Sequence, residues 1–124
     1  MESIHHPGTI IGCDWSGYVV KVGKNVTTPA TGDHVAGFVH GNTYKDCGAF
    51  AEYLKTDGDL CWKVPEGTFT HEKASTLGCG YWTAVQALFH PKRLGLVEPP
   101  NKTDKADWVL VWGGSGASIL ANFA

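Results

Sequence analysis

At 124 residues the chain carries enough material for one hydrophobic core, so one domain is the default expectation. A formal net charge of −2 and a pI near 6.3 exclude the basic footprint of a nucleic-acid binder. No apolar run approaches the roughly 20 residues of a membrane-spanning helix. The opening MESIHHPGT lacks both the apolar core and the cleavage site of a signal peptide, and a cytoplasmic protein is expected. Cys13, Cys47, Cys61 and Cys79 lie far apart with no C-x-x-C pair. That spacing fits reduced thiols better than a disulfide framework or a closed zinc knuckle.

In chain order, short apolar runs alternate with glycine-centred turns from Ile10 to Val64, the pattern of an all-β region. Strands are predicted over residues 18–22, 34–40, 49–55 and 60–64, and Asp33 is expected to serve a turn. Pro65 closes this region. Residues 71–77 and 80–90 read as helices, the first with Thr70 as N-cap and the second stopped by Pro91. GLVEPPNKTDKAD is polar and proline-marked, an exposed connection. It delivers the chain to WVLVWGGSGASILANFA, where Val109, Leu110 and Val111 form the continuous apolar run of a strand buried on both faces. The domain organisation read from this is residues 1–90, a linker over 91–107, and a further beginning over 108–124.

Gly113, Gly114 and Gly116 follow that strand at once, ahead of a helix-compatible stretch. Strand, glycine turn and helix in that order open a dinucleotide-binding unit. Glycine lets the backbone approach a pyrophosphate, and the free N–H groups of the helix start attract its charge. The bland alternative is an ordinary tight turn, since a glycine cluster alone is weak evidence.

Taken together, GCDWSGYVVKVGKNV, GDHVAGFVHG, GAFAEYL and the terminal VLVWGGSG resemble the medium-chain dehydrogenases/reductases. The similarity lies in the zinc-free, quinone-oxidoreductase-like branch, and within it with fungal trans-acting enoyl reductases, often labelled GroES-like proteins. It runs from about Pro7 to Ser115, and the order of the motifs is more specific than any one of them. The resemblance implies a mixed α and β fold. A partial GroES-like β-barrel and two connecting helices would precede the first strand and helix start of a truncated Rossmann domain. It also implies an internal fragment, because family members begin with strands before the position of His6 and continue through a whole Rossmann sheet after Ala124. Such a fragment is expected to be inactive as given. Ile119 stands where the family usually carries another glycine.

The implied activity is reduction of an activated carbon–carbon double bond with hydride from NADPH, on a small-molecule or acyl-carrier-bound enoyl substrate. Cofactor binding would fall to Gly113, Gly114, Ser115, Gly116, Ala117 and Ser118. Thr83, in GCGYWTAVQALF, matches a family position near the nicotinamide and the substrate, where its hydroxyl could donate to the enoyl carbonyl. A helix threonine bonding its own backbone explains the residue equally well. Ala84, Gln86, Ala87 and His90 would line the acyl pocket with Thr83, although an amphipathic core helix also accounts for Val85, Leu88 and Phe89.

Zinc-dependent relatives carry Gly-His-Glu where this chain has Gly12-Cys13-Asp14, and a ligand cysteine at the position of Cys79. Cys13 and Cys79 supply at most two thiolates, whereas a catalytic zinc takes three protein ligands. The six histidines read as scattered, and no zinc is expected. Two alternatives stand beside the reductase: a non-catalytic GroES-like interaction module and a zinc-dependent alcohol dehydrogenase relative. The sequence leaves the choice between NADH and NADPH, the substrate and the oligomeric state open, since the residue that reads the ribose lies roughly 20 residues beyond the strand.

Overall fold

A computed structural model describes residues 7–103, 108–113 and 115–116. The chain divides into two compact units, Met1–Cys79 and Gly80–Ala124.

In the first unit, β1 (Asp14–Tyr18), β2 (His34–Phe38) and β3 (Cys61–Lys63) form an antiparallel sheet in the order β1-β2-β3. The register pairs Trp15 with Gly37 and Tyr18 with His34 across one seam, and Gly37 with Cys61 across the other. Because β2 is central, its Val35, Ala36 and Gly37 are buried. Side chains alternate between the two faces of a strand, and each face of this sheet has its own core. Trp15, Val35 and Val39 gather on one, backed by Val19, Cys47, Ala49, Leu54 and Cys61. Ala36, Val64 and Ala74 gather on the other, with Trp62 against them.

Ala74 belongs to α1 (His71–Ser75), which lies over β1 and β2. Thr70 caps it as expected, its side chain accepting from the Lys73 N–H at 3.4 Å. The helix ends two residues earlier than predicted because the amides of Thr76, Leu77 and Gly78 turn back onto the carbonyls of Lys73, Ala74 and Ser75. Asp33 serves its turn, accepting from the Ala30 N–H at 2.9 Å and pairing with Lys63 at 2.7 Å. The Lys63 hydrogen bond, helped by that amide, holds the Asp33 carboxyl below its ordinary range.

The strand predicted over residues 49–55 is corrected. The amides of Ala49 and Phe50 are taken by the carbonyls of Gly12 and Ile11, and the Ala51 N–H then turns onto the Ala49 carbonyl. That tight turn ends the pairing before a ladder can form. The first strand also begins earlier than predicted, at Asp14, and its pairing with β2 stops at Tyr18.

In the second unit the helix predicted over residues 80–90 is α2 (Cys79–Phe89), whose first residue belongs to the unit before. Ala84 and Leu88, one turn apart, are its buried residues. The chain beyond Pro91 folds back to cap it. The amides of Leu94 and Leu96 reach the carbonyls of Ala87 and Leu88, and Gly95 supplies the left-handed turn at φ +60°. These bonds satisfy orphan carbonyls at the helix end. Residues 108–112, predicted as a strand, pair with no strand among the described residues, and without a ladder they take no strand assignment.

Candidate functional site

The glycine turn is described at Gly113, Ser115 and Gly116. Gly113 and Gly116 sit at φ +82° and +58°, a region that side chains with a Cβ rarely adopt. Gly113, Ser115 and Gly116 are exposed, and a Cβ at either glycine would meet nothing within 4 Å. Glycine is therefore required here for conformation rather than for space, and bare backbone faces outward. Gly114, Ala117 and Ser118 lie outside the described residues.

Thr83, Gln86 and Ala87 of α2, and His90 just after it, are all exposed. Their spacing of i, i+3, i+4 and i+7 puts them on one helical stripe. Ala84 is buried at 3% exposure and faces away from that stripe with Leu88. The His90 ring also serves the helix end, its Nδ1 accepting from the Lys92 N–H at 3.1 Å.

At the other end of α2, the Asp14 carboxylate accepts a hydrogen bond from the Cys79 N–H. The chain passes so close there that a Cβ on Gly78 would collide with Asp14 and stand 2.8 Å from the Gly37 carbonyl oxygen. Carboxylate and small residue together tie β1 to Cys79, within the first unit. Cys13 and Cys79 are both exposed, and neither forms a disulfide. Among the described residues no group of three or more His, Cys, Asp or Glu side chains is placed to hold a metal ion. Burial pushes the Cys61 thiol up, and its Sγ donates to the Gly58 carbonyl at 3.3 Å, the setting of an inert packing cysteine.

A cavity of about 1050 Å³ opens beside β1, bounded by Val19, Leu54 and Cys61, with Ser16, Tyr18 and His71 along its wall. The nearby Trp15 indole is buried, and its Nε1 has no hydrogen-bond partner among the described residues. The histidines are less scattered than the sequence suggested. His34 Nε2 and His71 Nδ1 both lie within hydrogen-bond distance of Ser16 Oγ, at 2.8 and 3.0 Å. Sequence reasoning missed this group because Ser16 and His71 are 55 residues apart. Period-two alternation along β1 was the one available signal, placing Asp14, Ser16 and Tyr18 on one face. No helix among the described residues is long and apolar enough to cross a membrane.

Comparison with known proteins adds to these observations. The alcohol dehydrogenase GroES-like domain matches residues 1–66. The chain is 43% identical over 115 residues to the Trans-enoyl reductase ACTTS2 of Alternaria alternata, covering 90% of this chain and 33% of that protein. It is 43% identical over 122 residues to the Trans-enoyl reductase caaB of Aspergillus niger, with 90% and 33% covered. Against the Trans-enoyl reductase TOXD of Cochliobolus carbonum it is 37% identical over 115 residues, covering 90% of this chain and 38% of that protein. The chain thus spans about a third of the length of the curated relatives it matches.

Proposed function

The chain belongs to the alcohol dehydrogenase GroES-like domain family, and we propose that its residues serve an NADPH-dependent enoyl reductase acting on an activated carbon–carbon double bond. The observation that carries this reading is the similarity to fungal proteins named trans-enoyl reductases over 90% of the chain. The substrate class that follows is an unsaturated acyl group, free or held on a carrier.

The exposed left-handed turn suits a dinucleotide. Gly113, Ser115 and Gly116 present exposed backbone that a pyrophosphate can approach. Gly114, Ala117 and Ser118 would complete that cradle, and residues 108–112 would form the first Rossmann strand once neighbours pair with them. The reduced nicotinamide, when bound, supplies hydride for the β-carbon of the enoyl group.

Within this chain, Thr83 is assigned the carbonyl end of the substrate. Hydride arriving at the β-carbon moves electron density onto the carbonyl oxygen, and a hydroxyl donor held there stabilises the charge as it forms. Gln86, Ala87 and His90 continue the same exposed stripe and are assigned to the acyl group, with Ala84 packed behind them. No step in this assignment calls on a metal.

The test uses a chimera in which residues 7–116 replace the matching third of the caaB protein. Thr83→Val in that chimera keeps the side-chain volume and removes the donor. Loss of one oxyanion donor costs on the order of 3 kcal/mol, so kcat should fall about 100-fold with little change in the KM for NADPH. Unchanged turnover would reduce Thr83 to a structural helix residue.

A further inference from the structure

Ser16 is the point on which two imidazoles converge. Its Oγ lies 2.8 Å from His34 Nε2 and 3.0 Å from His71 Nδ1, and it donates to the Val35 carbonyl at 3.2 Å. A serine hydroxyl has one proton and two lone pairs. With its proton on the Val35 carbonyl, Ser16 accepts from both rings, and all three of its hydrogen-bonding positions are filled. Each neutral ring then carries its proton on the nitrogen facing the serine.

The two imidazole centroids are 4.0 Å apart, and Tyr18 lies against both, at 5.6 Å from His34 and 4.8 Å from His71. His34 is fixed in the central strand, whereas His71 is the first residue of α1. The contact therefore joins helix to sheet, beside the apolar one that Ala74 makes with Ala36 and Val64. Adding a proton to either ring leaves its bond to Ser16 in place. Adding one to both sets two cations 4.0 Å apart in a half-buried contact.

We propose that the His34–His71 pair is a pH-sensitive latch: α1 is docked on the sheet while at most one of the two imidazoles is charged, and is released as both become charged. The surrounding groups favour one charge over two. Glu72 follows His71 on α1 and takes hydrogen bonds from the Thr70 side chain and from its own backbone amide, which hold its carboxyl low and ionised. It can balance one cation. Asp33 precedes His34 but is engaged by Lys63 of β3, which itself carries positive charge. Ser16 and Tyr18 of β1 are neutral, and Asp14, on the same face of that strand, is engaged by the Cys79 N–H.

Loss of water, then the charge on His71, lowers the pKa of His34 below its ordinary value. The sign follows from linkage. Once α1 lifts away, His34 regains water and binds its proton at a higher pH, so acid favours the undocked form. Docking is complete above the ordinary imidazole value of about 6.5. It weakens as pH falls through that value towards the lowered pKa of His34, and the loss levels off below it.

The test is amide hydrogen exchange of the 124-residue chain, corrected for intrinsic rates, read at Ala74 and at Val39. The Ala74 N–H is bonded to the Thr70 carbonyl within α1, and the Val39 N–H is bonded to the Cys13 carbonyl beside the sheet. Between about pH 7.5 and about pH 5, protection at Ala74 should fall roughly tenfold more than at Val39. In His71→Gln the difference should shrink to less than about twofold, and the proton NMR titration of His34 should move up towards its ordinary value. Equal pH dependence at the two amides of the wild-type chain would overturn the latch, whether or not the variant folds. Unchanged Ala74 behaviour in a folded His71→Gln would overturn it as well.

Discussion

Trp15→Ala should lower the stability of the first unit by about 3–5 kcal/mol, the cost of removing a large buried aromatic and leaving a cavity. Trp15 is 8% exposed and is the largest side chain of the core it shares with Val35 and Val39. Its ring lies over Gly37, where a Cβ would stand 3.0 Å from Trp15 Cζ2 and 3.1 Å from the Leu60 carbonyl oxygen. The ring thus fills space that glycine leaves on the central strand. Trp15→Phe should cost much less. It keeps an aromatic ring and removes an indole donor that is buried without a partner among the described residues, and an unpaired buried donor itself costs about 1–3 kcal/mol. Urea unfolding of the two variants checks this. Similar losses for Phe and Ala would show that the indole nitrogen is satisfied and the packing argument incomplete.

Gly48→Ala is the second large effect expected. Gly48 is buried, and a Cβ there would press into the Ile10 carbonyl and come within 2.8 Å of Ile10 Cβ. The obstacle is mostly backbone, which cannot rotate aside as a side-chain tip can. The same segment is held by the Asn42 N–H on the Ile10 carbonyl at 2.8 Å and the Phe50 N–H on the Ile11 carbonyl at 2.9 Å. Relief would break those bonds, so a cost of about 3 kcal/mol is expected, at the upper end for overpacking. Gly17→Ala is the control. A Cβ at Gly17 meets nothing within 4 Å, and the change should stay within about 0.5 kcal/mol. Equal thermal shifts in the two variants would contradict the close-approach account.

These two sites also show where sequence reading stops. Trp15 and Val35 could be placed in a β region from alternation and glycine-centred turns, and Thr70 could be named as a cap from its position before an apolar repeat. Such features depend on residues within a few positions of one another. The irregular path of residues 49–55 could not be read this way. Its apolar, aromatic composition suits a strand, but the carbonyls of Ile11 and Gly12 claim its first amides and a tight turn at Ala51 follows. The meeting of Ser16, His34 and His71 was hidden for the same reason, since it depends on strand register and on where α1 lands. The glycine turn lies at the opposite extreme. Three glycines in four positions after an apolar run mark a turn, and in it Gly113 and Gly116 take left-handed φ values.

The stripe of Thr83, Gln86, Ala87 and His90 was named residue by residue from a family resemblance, and only the helix shows it as a surface. The sequence offered no way to separate that surface from the buried Ala84, because α2 is apolar around much of its circumference. Its exposed side includes Trp82, at 42% exposure.

Hydride placement tests the central claim most directly. The chimera carrying residues 7–116 in the caaB framework would be given NADPH deuterated on its transferable position, together with an α,β-unsaturated acyl thioester. Mass spectrometry of the product would then locate the label. An enoyl reductase leaves one deuterium on the β-carbon of a saturated thioester, and that is the result predicted here. Deuterium on the former carbonyl carbon, with the double bond intact, would mark carbonyl reduction of the alcohol dehydrogenase type and contradict the account.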